Sequence, residues 1–241
     1  MNKIKVCHLY YDLMNLYGEN ANTRAIENMC KYQGITCEIS YKTINDSINF
    51  NNYDIFYMGS GSESNELLVL KDLLKYKSDI ISSINNGKTF IITGNSTELF
   101  GSYIMDNGIK YDCLKIFDYY SIHESFRTVG SIVFSTNLIK EKIIGFQNRC
   151  GIINNIDKPL FKVLSGTGSS VNSNTEGIHY KNFYATYVFG PLLIRNPYLT
   201  NYILKNIMKE KNPKYKFKLI NKLPEVKAYN TYLDNFNIEK A

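Results

Sequence analysis

The stretch Phe90-Ile91-Ile92-Thr93-Gly94-Asn95-Ser96-Thr97-Glu98-Leu99-Phe100-Gly101 passes from an apolar run through a tight turn into a segment of helical character. A strand–turn–helix unit of this kind lifts the residue at the turn above a sheet. It also sets a helix N-terminus behind that residue, where developing negative charge is favoured. A nucleophile at such a tip is a Cys or a Ser. By spacing the tip is Gly94, which has no side chain. Thr93 precedes it and Ser96 lies two residues beyond, neither with an evident base. A second loop, Gly59-Ser60-Gly61-Ser62, has the small residues that bring backbone N–H groups close to a ligand. The three histidines, His8, His123 and His179, are scattered along the chain. His8 falls inside an apolar run and reads as packed. The five cysteines, Cys7, Cys30, Cys37, Cys113 and Cys150, have no metal-ligand spacing. They read as buried small hydrophobes, with Cys150 the one worth testing. No metal or cofactor is expected.

The elements that must carry these loops are legible from periodicity. Ile4 to Tyr10 reads as a first strand, and Asp12 to Asn22 as a polar loop. Thr23 to Gln33 reads as a helix closed by Gly34 at its C′ position, and Ile35 to Tyr41 alternates like a strand. Tyr53 to Met58 is a buried-strand pattern that runs into the Gly59 loop. Glu63 to Ile84 has helical spacing, Thr89 to Thr93 is a central strand, and Thr97 to Met105 is expected to be a helix. Alternating strands and helices imply an α/β fold with a doubly wound, mostly parallel sheet flanked by helices. Ligands in such folds bind beyond the carboxyl ends of the strands, where the Gly59 and Gly94 loops fall. From about Asp112 the pattern changes to short runs: Ser131 to Phe134, Ile143 to Phe146, Phe161 to Leu164 and Phe183 to Val188. These read as antiparallel strands continuing one domain. Pro197 to Lys209 is a helix with proline at an early position, and Val226 to Lys240 is a last helix. The organisation expected is one domain over 1–210 and a basic extension with a helix over 211–241.

Bulk properties narrow the field. The 241 residues, 44% hydrophobic and 21% charged, suit a folded domain with a real core. The net charge of +6 is spread along the chain apart from one run at Lys209, Lys211, Lys214, Lys216 and Lys218. Nucleic-acid binding asks for a clustered patch, so no nucleic-acid partner is expected. No apolar stretch is long enough to span a bilayer, and no signal peptide opens the sequence, so cytoplasmic residence is the default.

Six blocks resemble a known family. His8 to Asn22 (HLYYDLMNLYGENAN) resembles an opening that reads LYPxLMNxYGDxGN, and Met58 to Glu66 (MGSGSESNE) resembles an oxyanion loop that reads GGGQDxxQ. Gly145 to Arg149 resembles GFENH; Gly166-Thr167-Gly168 and Glu176-Gly177 recur at the family's spacing. Tyr187 to Leu193, with Asn196-Pro197 following, resembles YLHGPLLxxNP. The family is that of class I glutamine amidotransferases of the cobyric-acid-synthase type, nearest in pattern to the glutaminase subunit of lipid II isoglutaminyl synthase. The resemblance implies a flavodoxin-like fold, no cofactor, and a Mur-ligase-like synthetase as partner. The family elbow reads ICGGYQLLG, so Gly94 stands at the nucleophilic Cys position, and Phe189 stands at the catalytic His of YLHGPLL. Hydrolysis of glutamine by this route needs a thiolate and a neighbouring imidazole. Gly94 and Phe189 supply neither.

By resemblance the ligand-contacting positions are Gly59, Ser60, Gly61, Asn95 and Arg127. Arg127 matches a family arginine implicated in substrate contact, or else forms a surface ion pair. Asn148 and Arg149 either line the site or close a turn. Three functions follow. The first is a non-catalytic subunit of the synthetase complex that amidates lipid II. The second is a module binding glutamine or a similar small molecule between the two loops. The third is a hydrolase with another nucleophile, since the scaffold hosts several chemistries.

Overall fold

In the computed structural model the described residues are 2–234 and Phe236. The chain begins β1 (Lys3–Leu9), α1 (Asn20–Gln33), β2 (Thr36–Lys42), β3 (Ile55–Met58), α2 (Glu63–Leu73), α3 (Lys77–Asn85) and β4 (Thr89–Thr93). It continues β5 (Tyr103–Asp106), β6 (Ile109–Asp112), β7 (Tyr120–Ser135), β8 (Ile143–Asn154), β9 (Phe161–Ser165), β10 (Thr175–Glu176), β11 (Ile178–Tyr180) and β12 (Phe183–Thr186). Then come α4 (Leu192–Arg195), α5 (Pro197–Lys211) and α6 (Pro224–Asp234).

The first sheet has the order β11-β12-β4-β3-β1-β2, parallel from β12 to β2, with β11 antiparallel at its edge. Its central strands β3, β4 and β12 are buried along their whole length, as strands covered on both faces require. Alternate residues serve different cores. Ile4, Val6, Ile55, Tyr57 and Ile91 pack with α1 and α5. Cys7, Leu9, Phe56, Met58, Phe90 and Ile92 pack with α2 and α3. Gly34, in the left-handed region at φ +81°, ends α1 by returning its N–H to carbonyls of the last turn. The second sheet runs β10-β9-β7-β5-β6 with β8 paired along β7, and apart from β5·β7 its pairings are antiparallel. Its strands β7 and β8 line the space beside the elbow together with the Gly59 and Gly94 loops.

Four expectations are corrected. The run Glu63 to Ile84 is two helices, separated by a 3-10 turn at Leu74–Tyr76 that places the Tyr76 hydroxyl on the Asp46 carbonyl and its ring against Phe50. The helix expected over Thr97 to Met105 is instead a 3-10 segment at Gly94–Phe100 followed by β5. Ser96 and Thr97 spend their hydroxyls on backbone carbonyls, and Gly101 passes so close to Tyr119 that a Cβ there would lie 2.6 Å from its ring. Phe183–Thr186 is not an antiparallel strand of the later region but returns to the first sheet, parallel to β4. The last helix spans Pro224–Asp234; the rest of the Val226 to Lys240 expectation, apart from Phe236, lies outside the described residues. No helix among the described residues is long and apolar enough to cross a membrane.

Candidate functional site

β4 delivers Gly94 to the turn at φ +68°, the left-handed conformation of an elbow tip. A Cβ built on Gly94 would lie 2.3 Å from both Cβ and Oγ of Ser60. The hydroxymethyl group of Ser60 therefore fills the place a nucleophilic side chain would take. Ser60 Oγ donates to Asn95 Oδ1 at 3.0 Å, and the N–H of Gly61 donates to the same oxygen at 3.0 Å. Asn95 Nδ2 in turn donates to Glu66 Oε2 at 3.0 Å. An oxyanion hole needs free N–H donors aimed at open space. Here the Gly61 N–H is already satisfied by a side chain of the facing loop. Gly59 and Gly61 are held tightly, since a Cβ on either would strike Met14 at 2.4 and 2.6 Å respectively.

Phe189 follows β12. It is buried, stacks face to face on Tyr17 with ring centroids 4.2 Å apart, and meets Phe146 edge-on at 5.9 Å. Its backbone forms an isolated antiparallel bridge with Phe146. Glu176 fixes the approach: its Oε1 accepts from the Tyr187 N–H at 2.8 Å and its Oε2 from the Thr186 hydroxyl at 2.6 Å. Burial pushes the Glu176 carboxyl up to about 7, against the pull of those two bonds and of Arg149. On the other side of the turn, Glu19 Oε1 accepts from the Gly190 N–H at 3.2 Å. Its Oε2 gathers Tyr57 (2.8 Å), Asn22 (3.3 Å) and the Thr93 hydroxyl. Burial raises the Glu19 carboxyl despite these donors.

The space bounded by the two loops, Tyr17, Phe189, Glu63, Glu98, His123, Arg127, Asn148, Arg149 and Cys150 has a cavity volume of about 10 Å³, room for about one water. Small-molecule pockets start at roughly 300 Å³. The pocket expected between the Gly59 and Gly94 loops is thus closed, because Ser60 and the Tyr17–Phe189 stack fill it. Arg127 reaches it from β7 and makes an ion pair to Glu63 at 2.7 Å, with further bonds to Asn148 Oδ1 (2.7 Å) and its carbonyl (3.1 Å). Arg149 is buried, stacked on Tyr187 at 4.3 Å, and donates to the carbonyls of Gly151 and Gly168. The Cys150 thiol lies 3.4 Å from Glu63 Oε1, and burial with the Glu63 charge pushes it up to about 12. It is a neutral thiol at ordinary pH, not an activated one. Ser96 is buried with its hydroxyl on the carbonyls of Gly59 and Thr93. Thr93 faces Glu19. His8 is fully buried among Tyr11, Tyr41 and Tyr57, and burial lowers it to about 4. His179 lies elsewhere, stacked on Tyr184.

Three chemically able residues were not brought together from sequence, His123 having been read only as one of three scattered histidines. Glu66 (α2), Glu98 (the 3-10 segment) and His123 (β7) bring one ligand-type atom each within 4.8 Å of the others. No spacing rule finds them, because they come from three elements. A signal was nevertheless present. Glu66 stands at the last Gln of GGGQDxxQ, and Glu98 at the Gln of ICGGYQLLG.

The chain matches the CobB/CobQ-like glutamine amidotransferase domain over residues 5–197. It is 30% identical over 241 residues to a Staphylococcus aureus protein named lipid II isoglutaminyl synthase (glutamine-hydrolyzing) subunit GatD, covering 100% of this chain and 99% of that one. A Streptococcus pneumoniae protein of the same name is 28% identical over 213 residues, with 87% and 82% of the two chains covered. Among solved structures, a crystal structure of a glutamine amidotransferase superposes with a TM-score of 0.55 at 10% identity, over 84% of this chain and 98% of that one. At that identity the likeness speaks for the fold.

Proposed function

Since this chain belongs to the CobB/CobQ-like glutamine amidotransferase family, we propose that it is a non-hydrolysing subunit that docks on a Mur-ligase-like synthetase in the amidation of the peptidoglycan precursor lipid II. The observation that carries the reading is the closure of the elbow. The tip is Gly94, the space over it holds the Ser60 side chain, and the Gly61 N–H is bonded to Asn95. A site that had lost only its thiolate would keep an open pocket and free donors. In this one, attack, proton transfer and oxyanion binding all lack their group: Gly94 for the nucleophile, Phe189 for the base, Gly61 for the hole. Loss of any member of such a unit costs orders of magnitude in rate.

The docking half of the reading rests on two relatives whose names describe a subunit of a glutamine-hydrolysing synthase. The alignment with the staphylococcal relative spans the 1–210 domain and the 211–241 extension alike, so the likeness on which docking rests is not confined to one part of this chain. Glutamine or a similar small molecule has too little room as a resident ligand, and Cys150 and Ser96 offer no activated nucleophile to a hydrolase.

The test joins two measurements. The purified chain is assayed for ammonia and glutamate release from glutamine, alone and co-expressed with a Mur-ligase-like synthetase from the same genome. Release at the level of the no-protein blank, with the two chains co-eluting from a sizing column, is the expected result. Turnover well above that blank, abolished by Cys150→Ala or Ser96→Ala, overturns the non-hydrolysing half. Failure of the chains to co-elute overturns the docking half.

A further inference from the structure

Beside the closed elbow, α2, the 3-10 segment and β7 converge on a second group of side chains. Glu66 and Glu98 are buried, and the side chain of His123 is 6% exposed. His123 Nε2 lies 3.0 Å from Glu98 Oε2. The remaining carboxylate oxygens, Glu66 Oε1 and Glu98 Oε1, are buried with no hydrogen-bond partner among the described residues. A buried anionic oxygen without a donor is costly, and charges in protein interiors are paired or coordinate metals. The two arginines lining the pocket do not relieve these oxygens: Arg127 is committed to Glu63 and Asn148, and the Nη atoms of Arg149 to the carbonyls of Gly151 and Gly168.

The groups around the three are arranged as an outer shell. Asp106 Oδ1 lies 3.4 Å from His123 Nδ1, placed to accept the Nδ1 proton when Nε2 gives its lone pair to an ion. Asn95 Nδ2 holds Glu66 Oε2 at 3.0 Å and so orients that carboxylate. Two ligands of one tetrahedral zinc sit roughly 3.3 Å apart. The three ligand atoms already lie within 4.8 Å of one another, so small rotations of the two glutamates close the difference.

We propose that Glu66, Glu98 and His123 bind one divalent transition-metal ion, for which this imidazole–carboxylate set without thiolate best suits Zn²⁺. Neutral imidazole and carboxylate are ordinary zinc donors, and three protein ligands leave a fourth position open. The ion neutralises the stranded oxygens and clips the elbow segment to α2 and to β7, tying the first sheet to the second. The two Gln-to-Glu departures from the quoted motifs are what create the site. It stands apart from the non-hydrolysing reading, since calorimetry and ammonia release can each fail without the other.

The probe is Zn²⁺ alone. The full chain is stripped with chelator, dialysed, checked for native circular dichroism, and titrated with ZnCl₂ by calorimetry and thermal melting. One equivalent is expected to bind and raise the melting temperature. Glu98→Gln, close in shape to the native side chain, and His123→Asn are each expected to weaken binding by at least about 100-fold, the upper end of what loss of an outer-shell partner alone costs. His179→Ala, remote from the cluster, is expected to bind as the parent does. Less than one equivalent bound by the parent chain overturns the proposal. So do folded Glu98→Gln and His123→Asn chains that bind zinc as tightly as the parent; the two carboxyls then share a proton instead.

Discussion

Installing the missing nucleophile is the sharpest test of the elbow, and the structure says that Gly94→Cys alone will damage the protein. The new Cβ meets Ser60 Cβ and Oγ at 2.3 Å, below any real carbon contact. Ser60 cannot simply swing aside, because its hydroxyl and the next N–H are both fastened to Asn95. Forcing atoms into such a packed place costs about 1–3 kcal/mol. A side chain at φ +68° adds about 1–2 kcal/mol for the left-handed backbone. The sum is roughly 2–5 kcal/mol, a fall of roughly 4–20 °C in melting temperature for a chain of this size. Ser60→Gly removes both clashing atoms and relieves the first part but not the second. A double-mutant cycle over Ser60→Gly and Gly94→Cys, followed by urea denaturation, is therefore expected to give a favourable coupling of about 1–3 kcal/mol. Single effects that add to within about 0.5 kcal/mol would show that Ser60 does not occupy the nucleophile's place, and the closed-elbow argument would fall with it.

Two further outcomes follow from the same geometry. Gly94→Cys with Phe189→His is expected to release no ammonia from glutamine, whereas adding Ser60→Gly and Asn95→Gly, which clears the tip and frees the Gly61 N–H, is expected to give measurable release; equal silence from both would mean that more of the pocket is lost than these four positions. In metal-free buffer, the stability that Glu176 contributes is expected to be lost as pH rises from about 4.5 to 7, because its carboxyl, raised in the folded state to about 7, holds its proton more tightly folded than unfolded; His8, lowered to about 4, acts in the opposite direction over much of that window, so the check is the difference between the two chains, Glu176→Gln being expected to gain on the parent by up to about 3 kcal/mol between those pH values.

Much of the fold was legible because its first half obeys simple periodic rules. β1, β3 and β4 announce themselves as short apolar runs, and α1 by its apolar stripe and the terminating Gly34. The failures lie where tertiary contacts outweigh local pattern. Thr97 to Met105 has the composition of a helix, yet Thr97 is drawn to the Thr186 carbonyl and the chain must open into β5 to pair with β7. Phe183 to Thr186 looks like its antiparallel neighbours in sequence, and only the return to β4 reveals its direction. At the site, Gly94 and Phe189 were visible as replacements because a motif fixes their positions. Ser60 was visible as a change of residue but not as a plug, since that depends on the φ of Gly94 and the approach of one loop to another. The Glu66, Glu98 and His123 cluster was hidden for a like reason: its members are far apart in sequence and meet only when the second sheet is laid beside the elbow.

The replacements at the elbow form one packing solution rather than separate losses. A glycine at the tip alone would leave a void the size of a thiol over a buried turn, with an unsatisfied N–H at Gly61 facing it. Ser60 fills the void, Asn95 Oδ1 accepts from both the Ser60 hydroxyl and the Gly61 N–H, and Glu66 accepts from the amide nitrogen of Asn95. Across the pocket Phe189 gains from its stack on Tyr17 the contact energy that a lone buried ring would lack. Each group is the reason the next is tolerated, so reversal of any one should cost stability before it restores chemistry. That chain of contacts ends at Glu66, whose second oxygen is the one left without a donor. The same adjustment that closes the glutamine pocket therefore leads directly to the carboxylate cluster, and the interior that remains is arranged to hold a cation where it can no longer hold a substrate.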